Sequence, residues 1–131
     1  MKYLPLLFFA LLLANCRPSE NSCVAGTGGH VNIVAYANHN GSGLLNYALH
    51  PYTAFIKFNT LASPGTDPSK YDTFFVGETG EDHIHCENLK CGSYYIYRIA
   101  FDSASNTRYT GGLGISFTET AGEIDTAITV Y

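Results

Sequence analysis

From His30 onward the chain alternates apolar and polar residues with a period of two, which is typical of half-buried β-strands. Gly, Asn, Asp and Pro separate the alternating runs, and no run shows a capped 3.6-residue period. The sequence therefore predicts an all-β fold, a single Greek-key β-sandwich of about seven strands over residues 30–131, with residues 38–51 and 61–72 as loops at its ends. The predicted strands are residues 30–36, 52–58, 73–77, 83–87, 93–101, 114–118 and 123–131.

The N-terminus has a different pattern. Lys2 precedes an unbroken, mainly apolar run, which ends in the tetrapeptide Leu-Ala-Asn-Cys at residues 13–16. A basic start, an apolar core of about ten residues and a small-residue exit are typical of a secretory signal peptide. The run is shorter than the roughly 20 residues that span a bilayer, and no later run is long enough. We predict a signal peptide over residues 1–15 and a polar, flexible tether over residues 16–29.

The end of this segment resembles the lipobox of bacterial lipoproteins, in which Leu stands three residues before a modified Cys. Asn15 fits the wider variety found in Bacteroidetes-type lipoproteins. The resemblance implies that cleavage exposes Cys16, that its thiol receives a diacylglyceryl group, and that palmitate-type acyl chains anchor the protein stably. It further implies a location in the cell envelope, at the outer membrane, on either its periplasmic or its surface face. The alternative is that Cys16 is an ordinary cysteine of the mature protein.

The net charge of the chain limits the classes of partner that it could bind electrostatically. The chain has 7 Lys and Arg against 11 Asp and Glu, a net charge of −4. This mildly acidic balance provides no electrostatic basis for binding nucleic acid or anionic lipid. Attachment to a membrane is therefore expected to come from the lipid alone.

The cysteines that follow the signal peptide indicate a disulfide. Export leads to an oxidising compartment, and Cys86 and Cys91 stand close together in a Cys-x4-Cys arrangement. We predict a disulfide between them, which leaves Cys23 free or paired elsewhere. If Cys16 is not lipidated, all four cysteines can pair, and three connectivities are open.

Residues 77–97 resemble the transthyretin-like (prealbumin-like) sandwich domains, which include the carboxypeptidase regulatory-like family. The features shared are a polar Gly turn at residues 79–81, a strand, an Asn-Leu-x-x-Gly turn at residues 88–92, and a strand that begins with Tyr. The resemblance implies that Leu89 closes the end of the sandwich and that Gly92 permits the tight turn. It also implies a noncatalytic module for stability, adhesion or assembly.

His83 and His85 are the candidates for metal binding. Alternation places both imidazoles on one face of a strand, with Cβ atoms about 7 Å apart, a workable separation for two ligands. The other interpretation is a pair of solvated histidines on an edge strand. A third ligand would come from His30, His39, His50 or a carboxylate such as Asp82.

The remaining motifs do not indicate a catalytic or phosphate-binding site. The Gly-Ser-Gly at residues 41–43 lacks the strand–turn–helix context of a nucleophile elbow. The Gly-rich residues 26–29 precede a strand, so they do not form a phosphate-binding loop. The Asp-Ser-Ala triplet at residues 102–104 resembles the O-glycan acceptor of exported Bacteroidetes proteins, which makes Ser103 a glycosylation candidate.

The sequence as a whole predicts a noncatalytic, lipid-anchored envelope protein, without a cofactor or catalytic residue, that binds or scaffolds a protein partner in the envelope. The alternative is a surface module that binds carbohydrate through exposed tyrosines or metal through His83 and His85.

Overall fold

The computed structural model describes residues 23–50 and 52–131, and these form two β-sheets. The predicted signal peptide and Cys16 lie outside the described residues. Within the described part of the chain, no helix is long and apolar enough to cross a membrane. The strands are β1 (Thr27–His39), β2 (Ser42–Gly43), β3 (Thr53–Phe58), β4 (Thr73–Val76), β5 (His83–Leu89), β6 (Gly92–Asp102), β7 (Thr107–Phe117) and β8 (Ala121–Thr129), with a short 3-10 turn at Pro68–Lys70.

β1 is the central strand of the first sheet, where it pairs in parallel with β8 and antiparallel with β5 and β2. The second sheet has the antiparallel order β4-β3-β6-β7. Reciprocal backbone hydrogen bonds between Thr110 and Tyr131, 3.1 and 3.0 Å long, join β7 to the chain end that follows β8. The all-β prediction is confirmed, and each predicted strand overlaps an observed one; the two-residue β2 is additional.

The core lies between the sheets and follows the predicted alternation. On β3, Ala54 and Ile56 are fully buried, while Phe55 and Lys57 face outward and are half-buried. Burial of such side chains is the main force that holds the two sheets together. The fully buried hydrophobic residues also include Val31, Ile33, Ala35, Ala37, Ile84, Cys86, Leu89, Tyr94, Ile96 and Val130.

A charged side chain, that of Arg98, lies on the core face of β6 and is completely buried. Its Nη1 donates to the Ile99 carbonyl (2.7 Å), and its Nη2 donates to Asn46 Oδ1 (3.1 Å). The ion pairs among the described residues do not include it, and its Nε has no hydrogen-bond partner there. Desolvation lowers the pKa of Arg98 to about 10, so the group remains charged at neutral pH. Hydrogen bonds to uncharged acceptors therefore stabilise the buried charge of Arg98.

The disulfide joins Cys23 to Cys91, with Cα atoms 4.9 Å apart, so the predicted pairing of Cys86 with Cys91 is wrong. Alternation along β5 directs the Cys86 side chain into the core, where it is a free, buried thiol. Cys91 instead lies in the turn between β5 and β6. The error arose because closeness in sequence does not place two side chains on the same side of a strand.

Residues 23–29 belong to the sandwich, so the predicted boundary at His30 is too late. Ala25 is buried, and its N–H donates to Asn59 Oδ1 (3.2 Å). The N–H of Gly26 donates to the Tyr94 hydroxyl (3.0 Å). Residues 23–29, which were predicted to be part of the flexible tether, are therefore hydrogen-bonded to the sandwich.

The turn after β5 combines a buried leucine with a glycine that has a positive φ. Leu89 is fully buried. Gly92 has a φ of +147°, and a Cβ there would collide with the backbone of Ala25. A side chain is therefore excluded at residue 92 on both conformational and steric grounds.

The loop at residues 61–72 covers the outer face of the second sheet instead of its end, which corrects the predicted placement. The Leu61 backbone packs where a side chain at Gly114 would stand. The Tyr71 ring stacks against Tyr97 at a centroid distance of 5.8 Å and contacts Phe55 at 5.9 Å. The aromatic residues of this outer face explain the placement, because the loop shields them from water.

Candidate metal centre

The candidate centre begins with the two histidines of β5. Strand alternation turns Ile84 and Cys86 into the core and leaves His83 and His85 on the outer face of the first sheet. The prediction that both imidazoles share a face is confirmed. Their Nε2 atoms are 3.1 Å apart, and the rings are nearly perpendicular.

A contact of this length between two imidazole nitrogens allows only one of them to carry the intervening proton. The other nitrogen must present its lone pair. A cation that replaces this proton is attracted by the lone pairs of both Nε2 atoms at once. The pair is thus arranged as two nitrogen ligands that converge on one point.

Glu81 offers a third candidate ligand atom. Its Oε2 is 3.6 Å from His83 Nε2, and one ligand atom from each of Glu81, His83 and His85 lies within 4.8 Å of the others. Oε2 is buried and has no hydrogen-bond partner among the described residues. The Glu81 side chain as a whole is 35% exposed, and a bound cation would give Oε2 the partner that it lacks.

Sequence reasoning missed Glu81, because residues 81–82 look like solvated charges in a turn. The alternation with a period of two could have identified this residue. Extended backward from His85 and His83, the alternation reaches Glu81. The turn before β5 preserves this alternation, and that was not evident from the residue types.

Asp82, which the sequence offered as a ligand, has a different position. Its Oδ1 is 2.9 Å from His83 Nδ1, on the side of the ring away from the cluster. In the neutral ring, an Nδ1–H that donates to this carboxylate leaves Nε2 with its lone pair directed at Glu81 and His85. Carboxylates play this orienting role behind many metal-binding histidines.

Asn46 holds the turn that carries these ligands. Its N–H donates to the Glu81 carbonyl (2.6 Å), and its Nδ2 donates to the His83 carbonyl (2.8 Å). Its own carbonyl accepts from the Gly80 N–H (2.8 Å), and its Oδ1 accepts from Arg98. Asn46 is 1% exposed. The buried Arg98 is thus linked through Asn46 to the backbone of the cluster, which makes Asn46 a positioning residue.

Two of the three separations between ligand atoms are close to those around a small transition-metal ion, and all three atoms lie within 4.8 Å of one another. Zn²⁺ binds His nitrogen and carboxylate oxygen at about 2.0–2.2 Å, which in a tetrahedral site sets neighbouring ligand atoms about 3.3 Å apart. The observed separations are 3.1 Å between the His83 and His85 nitrogens and 3.6 Å between His83 and Glu81. Two imidazoles and one carboxylate suit Zn²⁺, Co²⁺, Ni²⁺ or Cu²⁺ and leave a fourth position open.

The surroundings of the cluster are acidic. Tyr36 packs against the His83 ring at 5.3 Å, and its pKa is raised by desolvation and then by the charges of Asp125 and Asp82. A cleft of about 260 Å³ opens beside the ligands, with Glu78 and Glu87 in its lining. This negative potential favours the approach of a cation.

The other histidines lie elsewhere. His39 Nδ1 is 3.0 Å from the Val130 carbonyl, and the His50 ring stacks on Phe101. His30 is exposed near the start of β1. None of these three joins the cluster. Ser103, the glycosylation candidate, is exposed in the turn between β6 and β7.

Comparison of the chain with protein-family models, with curated proteins and with solved structures found no match.

Proposed function

We propose that this chain is a noncatalytic binding module of the cell envelope that holds a divalent transition-metal ion at Glu81, His83 and His85. The observation that carries the proposal is the convergence of three ligand atoms within 4.8 Å, one of them a buried oxygen without a donor. The orienting contact from Asp82 and the acidic surroundings support it. The open fourth position is where a partner's side chain or a water completes the coordination.

Metal titration tests this function. We expect isothermal titration of the purified chain with Zn²⁺ to show one site, and His85→Ala to weaken it at least tenfold because a ligand is lost. Asp82→Asn should weaken binding by about tenfold, since the contact that orients His83 becomes weaker. Affinity should also fall from pH 7 to pH 5, because protons compete for the imidazole nitrogens.

His30→Ala is the matched control, because it removes an exposed histidine from another strand of the same sheet. Affinity in this variant should equal that of the parent. If His30→Ala and His85→Ala weaken Zn²⁺ binding equally, or if neither does, the centre does not exist as described.

We further propose that the module is tethered to the outer membrane through acylated Cys16. The resemblance of residues 13–16 to a lipobox supports this anchor. The Cys23–Cys91 disulfide supports the oxidising compartment that export would reach.

Acylation is measured by labelling cells with radioactive palmitate. We expect the parent chain to carry label and to partition into membranes, and Cys16→Ser to lose both properties, because stable anchoring needs the acyl chains. Cys86→Ser, which leaves the acceptor intact, serves as the control. A Cys16→Ser chain that still partitions into membranes would show that the anchor is something else.

We also propose a Greek-key, transthyretin-like arrangement and a protein partner in the envelope. The Greek-key proposal is supported by the connections β2–β3, β4–β5, β5–β6 and β7–β8, each of which passes between the sheets. The buried Leu89 and the positive φ of Gly92 support the family resemblance. For the partner, the supporting observation is the sheet edge at β4, where Phe74 and Val76 are exposed.

A further inference from the structure

A second cavity lies on the outer face of the second sheet, whereas the metal cluster lies on the outer face of the first. Its volume is about 450 Å³, within the range of small-molecule sites. The 3-10 turn that begins at Pro68 contributes to one side of the cavity. The segment before β3 contributes to it through His50.

The walls are mainly apolar and partly aromatic. Phe55 projects outward from β3, and Ile99 and Phe101 project outward from β6, so strand alternation places all three on the same face. The His50 ring stacks on Phe101 at 3.6 Å with an angle of 15° between the rings. The His50 ring therefore covers one face of Phe101, and both rings contribute to the aromatic lining of the cavity.

Two residues of the lining, Thr53 and Arg108, are polar, and they would set the orientation of a bound ligand. Thr53, which is 8% exposed, is one of the lining residues. Arg108 is paired with Phe101 in the β6–β7 register and is exposed at the cavity. The ion pairs among residues 23–50 and 52–131 do not include Arg108. Its guanidinium is thus available to a carboxylate, sulfonate or phosphate group.

We infer that this cavity binds a small amphiphilic anion. The flat apolar body lies against Phe55, Ile99 and Phe101, and the anionic group pairs with Arg108. The inference is independent of the metal site, because the two sites share no residue. The chemistry that defines the ligand is an aromatic or cyclic body with one acidic substituent.

The test uses the full-length chain with Cys16→Ser and two fluorescent probes of similar shape. One probe, 1-anilinonaphthalene-8-sulfonate, is an anion; the other, N-phenyl-1-naphthylamine, is neutral. We expect both probes to bind, and Arg108→Gln to weaken the anionic probe by about fivefold while the neutral probe changes less than about twofold, since only the former uses the charge.

Lys90→Gln is the matched control, because it also removes one positive charge. Lys90 lies in the turn before β6, whereas Arg108 is paired with Phe101 near the end of β6. Ile99→Trp should fill the cavity and abolish binding of both probes, with folding checked by circular dichroism. Leu49→Ser removes a leucine that is 89% exposed and does not line this cavity, and it should change nothing. The inference is overturned if Arg108→Gln binds the anionic probe as the parent does, if Lys90→Gln loses as much affinity, or if Leu49→Ser abolishes binding.

Discussion

At the scale of single residues, burial decides which groups can react. Cys86 lies on the core face of β5, and desolvation raises its pKa to about 12, although the charge of Arg98 opposes the shift. A reactive cysteine needs a thiolate in an accessible, electropositive setting. Cys86 has a cation nearby but no access to solvent. The residue is therefore a small apolar packing group.

We predict that iodoacetamide at pH 8 does not modify Cys86 in the folded protein and modifies it in urea. The folded pKa lies above the unfolded value, so burial of the neutral thiol stabilises the fold fully below pH 9, and this contribution is lost as pH rises toward 12. Mass spectrometry of the alkylated peptide measures the labelling. Stoichiometric labelling of Cys86 without denaturant would show that it is accessible.

At the scale of elements, the Cys23–Cys91 disulfide ties the segment before β1 to the turn between β5 and β6. The two cysteines are 68 residues apart in sequence. Closing so long a loop restricts the unfolded chain more than a bond between Cys86 and Cys91 would. The tie also fixes where the sandwich begins, next to Ala25 and Gly92.

We predict that Cys91→Ser lowers the free energy of unfolding by about 4 kcal/mol on the chain-entropy account. Cys23→Ser should cost about the same, and the double variant should cost little more, because all three remove the same bond. Urea unfolding under non-reducing conditions measures these values. If Cys86→Ser and Cys91→Ser were instead the pair with equal, non-additive costs, the bond would join those two residues.

At the scale of the whole molecule, the two sheets present different surfaces. The first carries the proposed metal ligands within an acidic setting that includes Asp125. The second carries the cavity at Arg108 and ends at β4, whose Phe74 and Val76 are exposed. Val76 also lines the cleft beside Glu81, so the β4 edge and the metal cluster adjoin one another. A partner that contacts β4, as proposed, would therefore lie close to the proposed metal site.

We predict that a photo-crosslinking amino acid at residue 74 gives a specific adduct in intact cells. The same probe at Glu123, an exposed position on β8 in the other sheet, is the control and should give none. Gel mobility and mass spectrometry identify the adduct. Adducts of equal yield at both positions, or none at residue 74, would contradict a partner at the β4 edge.

Much of the fold was predictable, because a period of two directly records which side chains face the core. This is why the strands and the shared face of His83 and His85 were predicted from local pattern. The position of the loop at residues 61–72 was predicted wrongly, because it depends on the aromatic outer face that the loop covers. Residues from separate strands form that surface.

By itself, the sequence determined the all-β class, the strands and the shared face of the two histidines, since each of these depends on near neighbours in the chain. Only the tertiary structure decided that Cys23 pairs with Cys91, that Arg98 lies in the core, and that Asn46 holds the turn in which Glu81 meets the histidines. The physical reason is that these contacts join residues far apart in the chain, and their geometry exists only after the two sheets have packed.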